Sequence, residues 1–213
     1  MSLWGNVVAE EIEIKLALDR ADQRRFMCHP LLRTATARSD QLLDNIYYDT
    51  PDLALRKNGV ALRIRRQGRQ RLQTVKLAAK AVAGLSIRPE WEVPYRGQFD
   101  FSCIEIAHVR AWLERAEILH NIAPLFQTRF RRITWHLPLA QGGEVLVALD
   151  RGDVLAGGRQ ATISEVELEL SGSTDVEALQ EISQLLRQRI PLVPSSISKA
   201  QRAYELLAKV TKL

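Results

Sequence analysis

The feature that most constrains this sequence is a strict alternation of charged and apolar residues in its β-prone segments. In Glu11–Leu16 (EIEIKL) every second residue is charged and the residues between them are apolar. The same alternation recurs in Leu62–Arg65 (LRIR) and in Glu165–Leu170 (EVELEL). Because successive side chains of a strand point to opposite faces, each strand has one charged face and one apolar face. The sequence therefore predicts strands that bury one face in a hydrophobic core.

Segments with a two-residue period dominate the chain, with helical patches between them. Strands are predicted at Glu11–Leu18, Asn45–Asp49, Val60–Arg66, Leu72–Leu77, Ser86–Val93, Gln127–Leu137, Glu144–Asp150 and Ser164–Leu170. Helices are predicted at Asp22–Cys28, Ile104–Leu119, Asp175–Arg189 and Ser198–Lys209. Pro89, within the fifth strand, indicates an edge position or a bulge. About eight antiparallel strands is the number that closes into a barrel with an interior filled by side chains.

The direction of the charged faces decides what such a barrel could do. Each strand alone could show its charges to water, but like charges at alternate positions repel, and the acidic strands carry few bases on the same face. We therefore expect the charged faces to converge inside an α+β fold, an eight-stranded antiparallel β-barrel that forms a tunnel with helices packed outside. The expected interior acids are Glu11, Glu13, Glu90, Glu92, Asp150, Glu165, Glu167 and Glu169. The expected interior bases are Lys15, Arg63, Arg65, Lys76, Arg129, Arg131 and Lys199.

Segregated acids and bases in one cavity favour a particular class of ligand. Clustered carboxylates suit hard divalent cations such as Mg²⁺ or Mn²⁺, and clustered arginine and lysine suit phosphate oxygens. A metal–polyphosphate complex would satisfy both walls. The net charge of +5 does not decide between anionic partners. No stretch approaches the roughly 20 apolar residues of a membrane span, and the N-terminus lacks signal-peptide features, so the sequence predicts a cytoplasmic protein with no membrane partner.

A set of segments follows Glu11-x-Glu13-x-Lys15 in a characteristic order along the chain. They are NIYYDTPDLALRKNGVALRIR, TVKLAAKAVAGLSIRPEWEV, PLFQTRFRR, ALDRGDV, ISEVELEL and SSISKAQRAYELL. Over about residues 10–208 the ordered set resembles the CYTH family, also called triphosphate tunnel metalloenzymes. It is most similar to the CYTH domain of YgiF-type bacterial inorganic triphosphatases. The resemblance implies hydrolysis of inorganic triphosphate to pyrophosphate and phosphate with a divalent metal.

The resemblance also implies roles for individual residues. By position it implies catalytic roles for Glu11, Glu13, Lys15 and Lys76, phosphate binding by Lys15, Arg63, Arg65 and Lys76, and metal binding by Glu11, Glu13, Glu165, Glu167 and Glu169. The alternation and the metal–phosphate hypothesis add Arg129, Arg131 and Lys199 as phosphate-binding residues and Asp150 as a metal ligand. Glu90 and Glu92 are expected in the tunnel without an assigned role.

The domain prediction is a single CYTH-like tunnel domain over residues 10–213, after an extension at 1–9 expected to lack order or to derive from cloning. YgiF-type proteins continue into a helical CHAD domain, which is a possible missing partner. Two alternatives keep the fold: a class IV adenylate cyclase and a thiamine triphosphatase. A third is a non-catalytic module that binds polyphosphate or RNA. Nucleic acid is not the favoured partner, because grouped glutamates repel a polyanion in the absence of metal.

Overall fold

The computed structural model describes residues 10–209, so the predicted extension at 1–9 lies outside the described residues. The strands are β1 (Glu10–Ala17), β2 (Ala37–Asp49), β3 (Val60–Gln67), β4 (Gln70–Leu77), β5 (Leu85–Pro94), β6 (Ala123–Pro138), β7 (Glu144–Ala156), β8 (Arg159–Ser171) and β9 (Val193–Pro194). The helices are α1 (Gln23–Met27), α2 (Ala54–Lys57), α3 (Ala107–Leu113), α4 (Ala116–Leu119), α5 (Val176–Arg187) and α6 (Lys199–Ala208). Among the described residues no helix has the length and apolar character needed to cross a membrane.

The first eight strands close into a barrel. They are ordered β5-β4-β3-β2-β6-β7-β8-β1, and a further pairing of β1 with β5 completes the ring. All neighbouring pairs are antiparallel. The predicted eight-stranded antiparallel barrel is therefore confirmed.

Several details of the prediction differ from the structure. β2 begins at Ala37 rather than Asn45, β7 extends to Ala156 rather than ending at Asp150, and β8 begins at Arg159 rather than Ser164. β5 is not an edge strand, because it pairs with β1 from Leu85 to Pro89 and with β4 from Glu90 onward. Pro89 lies at the last pair of the β1–β5 ladder, where its missing N–H interrupts little pairing. The predicted helix at Ile104–Leu119 is two short helices, α3 and α4, which are separated after Leu113.

Helices cover the apolar outer faces of the barrel. Leu179 and Leu186 of α5 belong to the same core cluster as Leu16 of β1 and Leu168 of β8. A second outer cluster, beneath α3 and α4, contains Leu62, Val75, Trp91, Leu113 and Ile118. Since the apolar faces of these strands meet helices on the outside, their charged faces point into the barrel. The hydrophobic effect thus fixes the inward direction of the charges.

Helix α6 occupies a different place. Its Ala203 and Tyr204 pack against Tyr47, Phe126 and Phe130, residues on the inner side of the barrel wall. Ser198 caps the start of the helix, where its Oγ accepts a hydrogen bond from the Gln201 N–H at 3.0 Å. Helix α6 therefore closes one end of the tunnel and carries its first residues toward the interior.

Candidate functional site

The tunnel encloses a cavity of about 530 Å³, a size typical of ligand-binding sites. Its charged lining residues are Glu11, Glu13, Lys15, Arg56, Arg63, Arg65, Lys76, Arg88, Glu90, Glu92, Arg132, Glu167, Glu169 and Lys199. Most of the residues expected inside thus line one cavity, and Asp150 and Glu165 lie directly behind it in contact with Lys199. The structure shows acidic and basic strand faces turned toward each other.

The predicted inward placement of Arg129 and Arg131 is wrong. Both side chains are exposed on the outside of the barrel, where Arg131 forms a bidentate ion pair with Asp40, with hydrogen bonds of 2.6 and 2.8 Å. The same face of β6 carries Ile133 and Trp135, which are buried in the outer core. Because residues 129, 131, 133 and 135 share one face of the strand, the two arginines must point outward.

Three arginines outside the predicted set line the cavity: Arg56, Arg88 and Arg132. Arg88 donates hydrogen bonds to Glu11 Oε2 at 2.7 Å and to Glu13 Oε1 at 2.8 Å. The sequence did indicate the inward position of Arg88, because Arg88 shares its strand face with Glu90 and Glu92. Arg132 is the inward arginine of β6, on the face opposite to Arg131.

Glu11 of β1 is held ionised by neighbouring cations. Lys76 Nζ lies 2.7 Å from Glu11 Oε1. Although burial alone would raise it, the pKa of Glu11 is lowered by Lys76 and Arg88. The neighbouring Glu13 makes all its side-chain contacts through Oε1, which leaves its second oxygen available to a ligand.

Glu169 is the exception among the acids of β8. Its side chain lines the cavity and makes no hydrogen bond or ion pair with any other described residue. Burial, reinforced by the charge of Glu11, raises the pKa of Glu169 to about 7. A partly buried carboxyl without an ion-pair partner is costly to ionise, so a cation bound beside Glu169 would stabilise its ionised form.

Three other carboxylates form a deeper cluster, defined as the deep triad: Asp150, Glu165 and Glu167. Oxygens from all three lie within 4.8 Å of one another, so the group could hold a metal ion. In the structure Lys199 occupies this position, with Nζ at 2.6 Å from Asp150, 2.5 Å from Glu165 and 2.9 Å from Glu167. The ammonium of Lys199 is therefore the resident cation of the deep triad.

Other cations complete the charge balance of the deep triad. Arg132 binds both oxygens of Asp150 at 2.7 Å and also contacts Glu167. Arg202 binds Glu165 at 2.8 Å, and Lys15 lies 3.1 Å from Glu167. Burial opposes ionisation, yet these cations lower the pKa of Asp150 and of Glu167. Every triad oxygen has a cationic partner.

The two inward arginines of β3 are the least neutralised cations that the barrel strands place in the tunnel. Arg63 has Glu90 as its nearest carboxylate, at 3.8 Å, and its buried Nε has no hydrogen-bond partner in the described chain. Burial, together with the charges of Arg63 and Arg132, lowers the pKa of Arg65 to about 10. An anion placed between these guanidinium groups would relieve their mutual repulsion.

The fold and the site together define a closed β-barrel with a charged interior that can take up an anion and a cation side by side. The family model described as CYTH domain matches residues 9–204. The chain therefore belongs to the CYTH family.

One sequence relative supports this assignment, and two solved structures share the fold. The chain is 32% identical over 205 residues to the inorganic triphosphatase of Haemophilus influenzae, with 96% of this chain and 57% of the relative covered. It thus spans little more than half the length of that relative. Among solved structures, a protein of Hippeastrum described as a candidate adenylyl cyclase with dominant triphosphatase activity superposes with a TM-score of 0.67. That match has 21% identity and covers 92% of this chain and 96% of the other. A candidate adenylate cyclase of Bacillus halodurans matches at a TM-score of 0.55 and 23% identity, covering 90% and 96%.

Proposed function

We propose that this protein hydrolyses inorganic triphosphate to pyrophosphate and phosphate inside the tunnel, in a reaction that depends on Mg²⁺ or Mn²⁺. One observation carries the proposal: a single cavity contains the poorly neutralised Arg63 and Arg65 together with the unpaired carboxyl of Glu169. The inorganic triphosphatase named among the relatives supports the choice of substrate.

The proposed phosphate-binding residues come from several walls of the tunnel. Arg63 and Arg65 meet the phosphate oxygens first, because no close carboxylate competes for them. Lys76 lies 2.7 Å from both Glu11 and Glu90, so it exchanges carboxylate contacts for phosphate contacts when the substrate enters. Lys15 and Lys199 complete the basic wall at the deep end.

The carboxylates fit a hard divalent cation, which prefers oxygen ligands. Glu13 and Glu169 would hold it, since Glu13 has an unused oxygen and Glu169 has no partner among the described residues. When bound, such an ion neutralises phosphate charge as the bond to the leaving group breaks. Asp150 and Glu165 are proposed instead to fix α6 through Lys199.

The chain's own contribution is orientation and charge. Water attacks the terminal phosphorus, the bridging P–O bond breaks with its electron pair going to pyrophosphate, and the proton released by the water passes to the acidic wall. Arg63 and Arg65 stabilise the charge on the phosphoryl oxygens. The barrel wall and α6 limit the access of bulk water to the reacting groups.

A substrate panel tests the proposal. Phosphate release from inorganic triphosphate, ATP and thiamine triphosphate would be measured with Mg²⁺, with Mn²⁺ and with chelator, while cyclic AMP is monitored. We expect turnover of inorganic triphosphate that chelator abolishes and that falls about 10²–10³-fold in Arg63→Ala. Arg129→Ala, which changes an exposed arginine on the outside of the barrel, is the matched control.

The alternatives have distinct outcomes in the same panel. Cyclic AMP formation from ATP would identify a class IV adenylate cyclase, and preferred turnover of thiamine triphosphate would identify a thiamine triphosphatase. Absence of all turnover, with RNA or polyphosphate bound in chelator, would identify a binding module and reject the proposal. A cytoplasmic location and an associated CHAD domain stay predictions of the sequence.

A further inference from the structure

Apart from the exposed Arg56 of α2, the cations of the tunnel fall into two groups by their partners. Lys15, Lys76, Arg88, Arg132 and Lys199 each have a carboxylate oxygen within 3.1 Å. The inward arginines of β3 do not: Arg63 lies 3.8 Å from Glu90, and Arg65 makes no ion pair with any described residue. A guanidinium removed from water without a counter-charge is costly, so these two arginines are expected to have other polar partners.

The neighbouring strand β2 supplies neutral partners for these two arginines. In the β2–β3 register, Asn45 lies directly opposite Arg65 and Tyr47 directly opposite Arg63. Arg65 Nε donates a hydrogen bond of 2.9 Å to Asn45 Oδ1. Although burial alone would raise it, the pKa of the Tyr47 hydroxyl is lowered by the adjacent Arg63 guanidinium. Each arginine of β3 thus meets a polar group without charge.

The side chain of Asn45 is itself fixed from its other end. It is fully buried, and its Nδ2 donates to Thr128 Oγ1 at 3.1 Å on β6. These two bonds set the orientation of the amide, with the oxygen toward Arg65. Asn45 therefore restricts the orientation of the Arg65 guanidinium through a hydrogen bond between β2 and β3.

An amide and a carboxylate at this position would have opposite consequences for an anionic ligand. An amide oxygen accepts the Nε–H bond and orients the guanidinium but leaves its positive charge uncompensated. A carboxylate of nearly the same shape would accept the same bond and neutralise the charge, as Asp150 does for Arg132. An oriented but uncompensated arginine is prepared to bind phosphate.

We propose that Asn45 is a positioning residue that orients Arg65 toward a phosphate group while keeping its charge available. The naming of the ligand as inorganic triphosphate rests on the proposed function. The assignment of the anion-binding end of the tunnel to the β2–β3 pair rests on the contacts of these residues alone.

The test replaces the amide by a carboxylate at two places on the same face of β2. Asn45→Asp adds a charge against Arg65. Gln41→Glu adds the same charge about 13 Å along the strand from Asn45, at 3.3 Å per residue. Gln41 lies beside Gln67, whose side chain donates to it at 2.6 Å, and opposite Arg132, which already has Asp150 and Glu167 as partners. Binding of inorganic triphosphate would be measured by calorimetry in chelator, KM and kcat with Mg²⁺, and Tm without ligand.

Asn45→Asp is expected to weaken triphosphate binding and raise KM at least tenfold, with a Tm equal to or above that of the wild type, because Arg65 gains a counter-ion. Gln41→Glu is expected to stay within about threefold of the wild type in affinity. Asn45→Ser, a neutral variant too short to reach Arg65, is expected to raise KM with little change in kcat. It serves as the test if the aspartate variant does not fold.

Three results with the variants would overturn the inference. They are unchanged affinity in Asn45→Asp or Asn45→Ser, equal losses in Asn45→Asp and Gln41→Glu, or a fall in Tm that parallels the loss of affinity. Wild-type protein that binds no triphosphate in chelator would also overturn it. Binding that depends on Asn45 without any hydrolysis would reject the proposed function and leave this inference standing.

Discussion

Replacing Lys199 by methionine is the perturbation whose size the structure allows us to work out best. Methionine has a similar shape but no charge, so the deep triad loses its central cation. The Lys199 ammonium contacts Asp150, Glu165 and Glu167 at 2.5–2.9 Å, and its side chain is 6% exposed. Breaking a buried ion pair by removing one partner costs about 3–5 kcal/mol.

The expected change in Tm follows from the size of the chain. For a protein of about 200 residues, 1 kcal/mol shifts Tm by about 2–4 °C. Lys199→Met should therefore lower Tm by roughly 6–20 °C in chelator. The exposed Lys57, which lies 3.8 Å from Asp52, provides the control, and Lys57→Met should change stability by less than about 1 kcal/mol.

A divalent cation should partly restore the variant. Without the ammonium, the triad presents carboxylate oxygens within 4.8 Å of one another, an arrangement that suits Mn²⁺ or Mg²⁺. Thermal unfolding with and without Mn²⁺ should show a larger gain in Tm for Lys199→Met than for the wild type. A variant as stable as Lys57→Met in chelator would refute the ion-pair reasoning.

Three further predictions address other parts of the structure. Arg131→Ala should leave kcat and KM for triphosphate unchanged, whereas Arg132→Ala should lower both turnover and Tm; equal effects would contradict their opposite placement. Glu13→Gln should lower turnover about 10²–10³-fold and weaken the dependence on Mg²⁺, and wild-type kinetics would remove Glu13 from the site. Burial, with the charge of Arg189, lowers the pKa of His29 below its ordinary 6.5, so the neutral ring is favoured by folding. The wild type should therefore lose stability relative to His29→Asn as pH falls from about 7 to about 5, and parallel pH profiles of Tm would contradict this.

The sequence was sufficient to predict the inward face of a strand wherever a helix covers the other face. In β1 and β8, the apolar residues lie beneath α5, so the alternation fixes Glu11, Glu13, Glu167 and Glu169 on the inner face. The physical reason is that a hydrophobic outer face leaves the charged face only one direction to point.

The alternation was insufficient to predict which face of β6 points into the barrel. Arg129, Arg131 and Arg132 place positive charge on both faces of the strand, and the outer face at Arg129 and Arg131 is exposed in the described part of the chain. The apolar residues further along, Ile133 and Trp135, would have resolved the ambiguity. The beginning of β2 was missed for a similar reason. Its polar residues are exposed on the outside of the barrel, so the alternation of apolar and polar residues is not visible there.

The ion-pair network could not be predicted from the sequence. The entry of Lys199 into the deep triad depends on how α6 docks across the end of the barrel, and it is stabilised by contacts between Tyr204, Phe126 and Tyr47 that join distant segments. Likewise, the role of Asn45 emerges only once the β2–β3 register places it opposite Arg65.

A crystal structure of the protein soaked with inorganic triphosphate tests the central claim most directly. The account predicts phosphate density within the cavity, in contact with Arg63 and Arg65. Density bound only to the outer arginines of β6, with the cavity holding no phosphate, would contradict it.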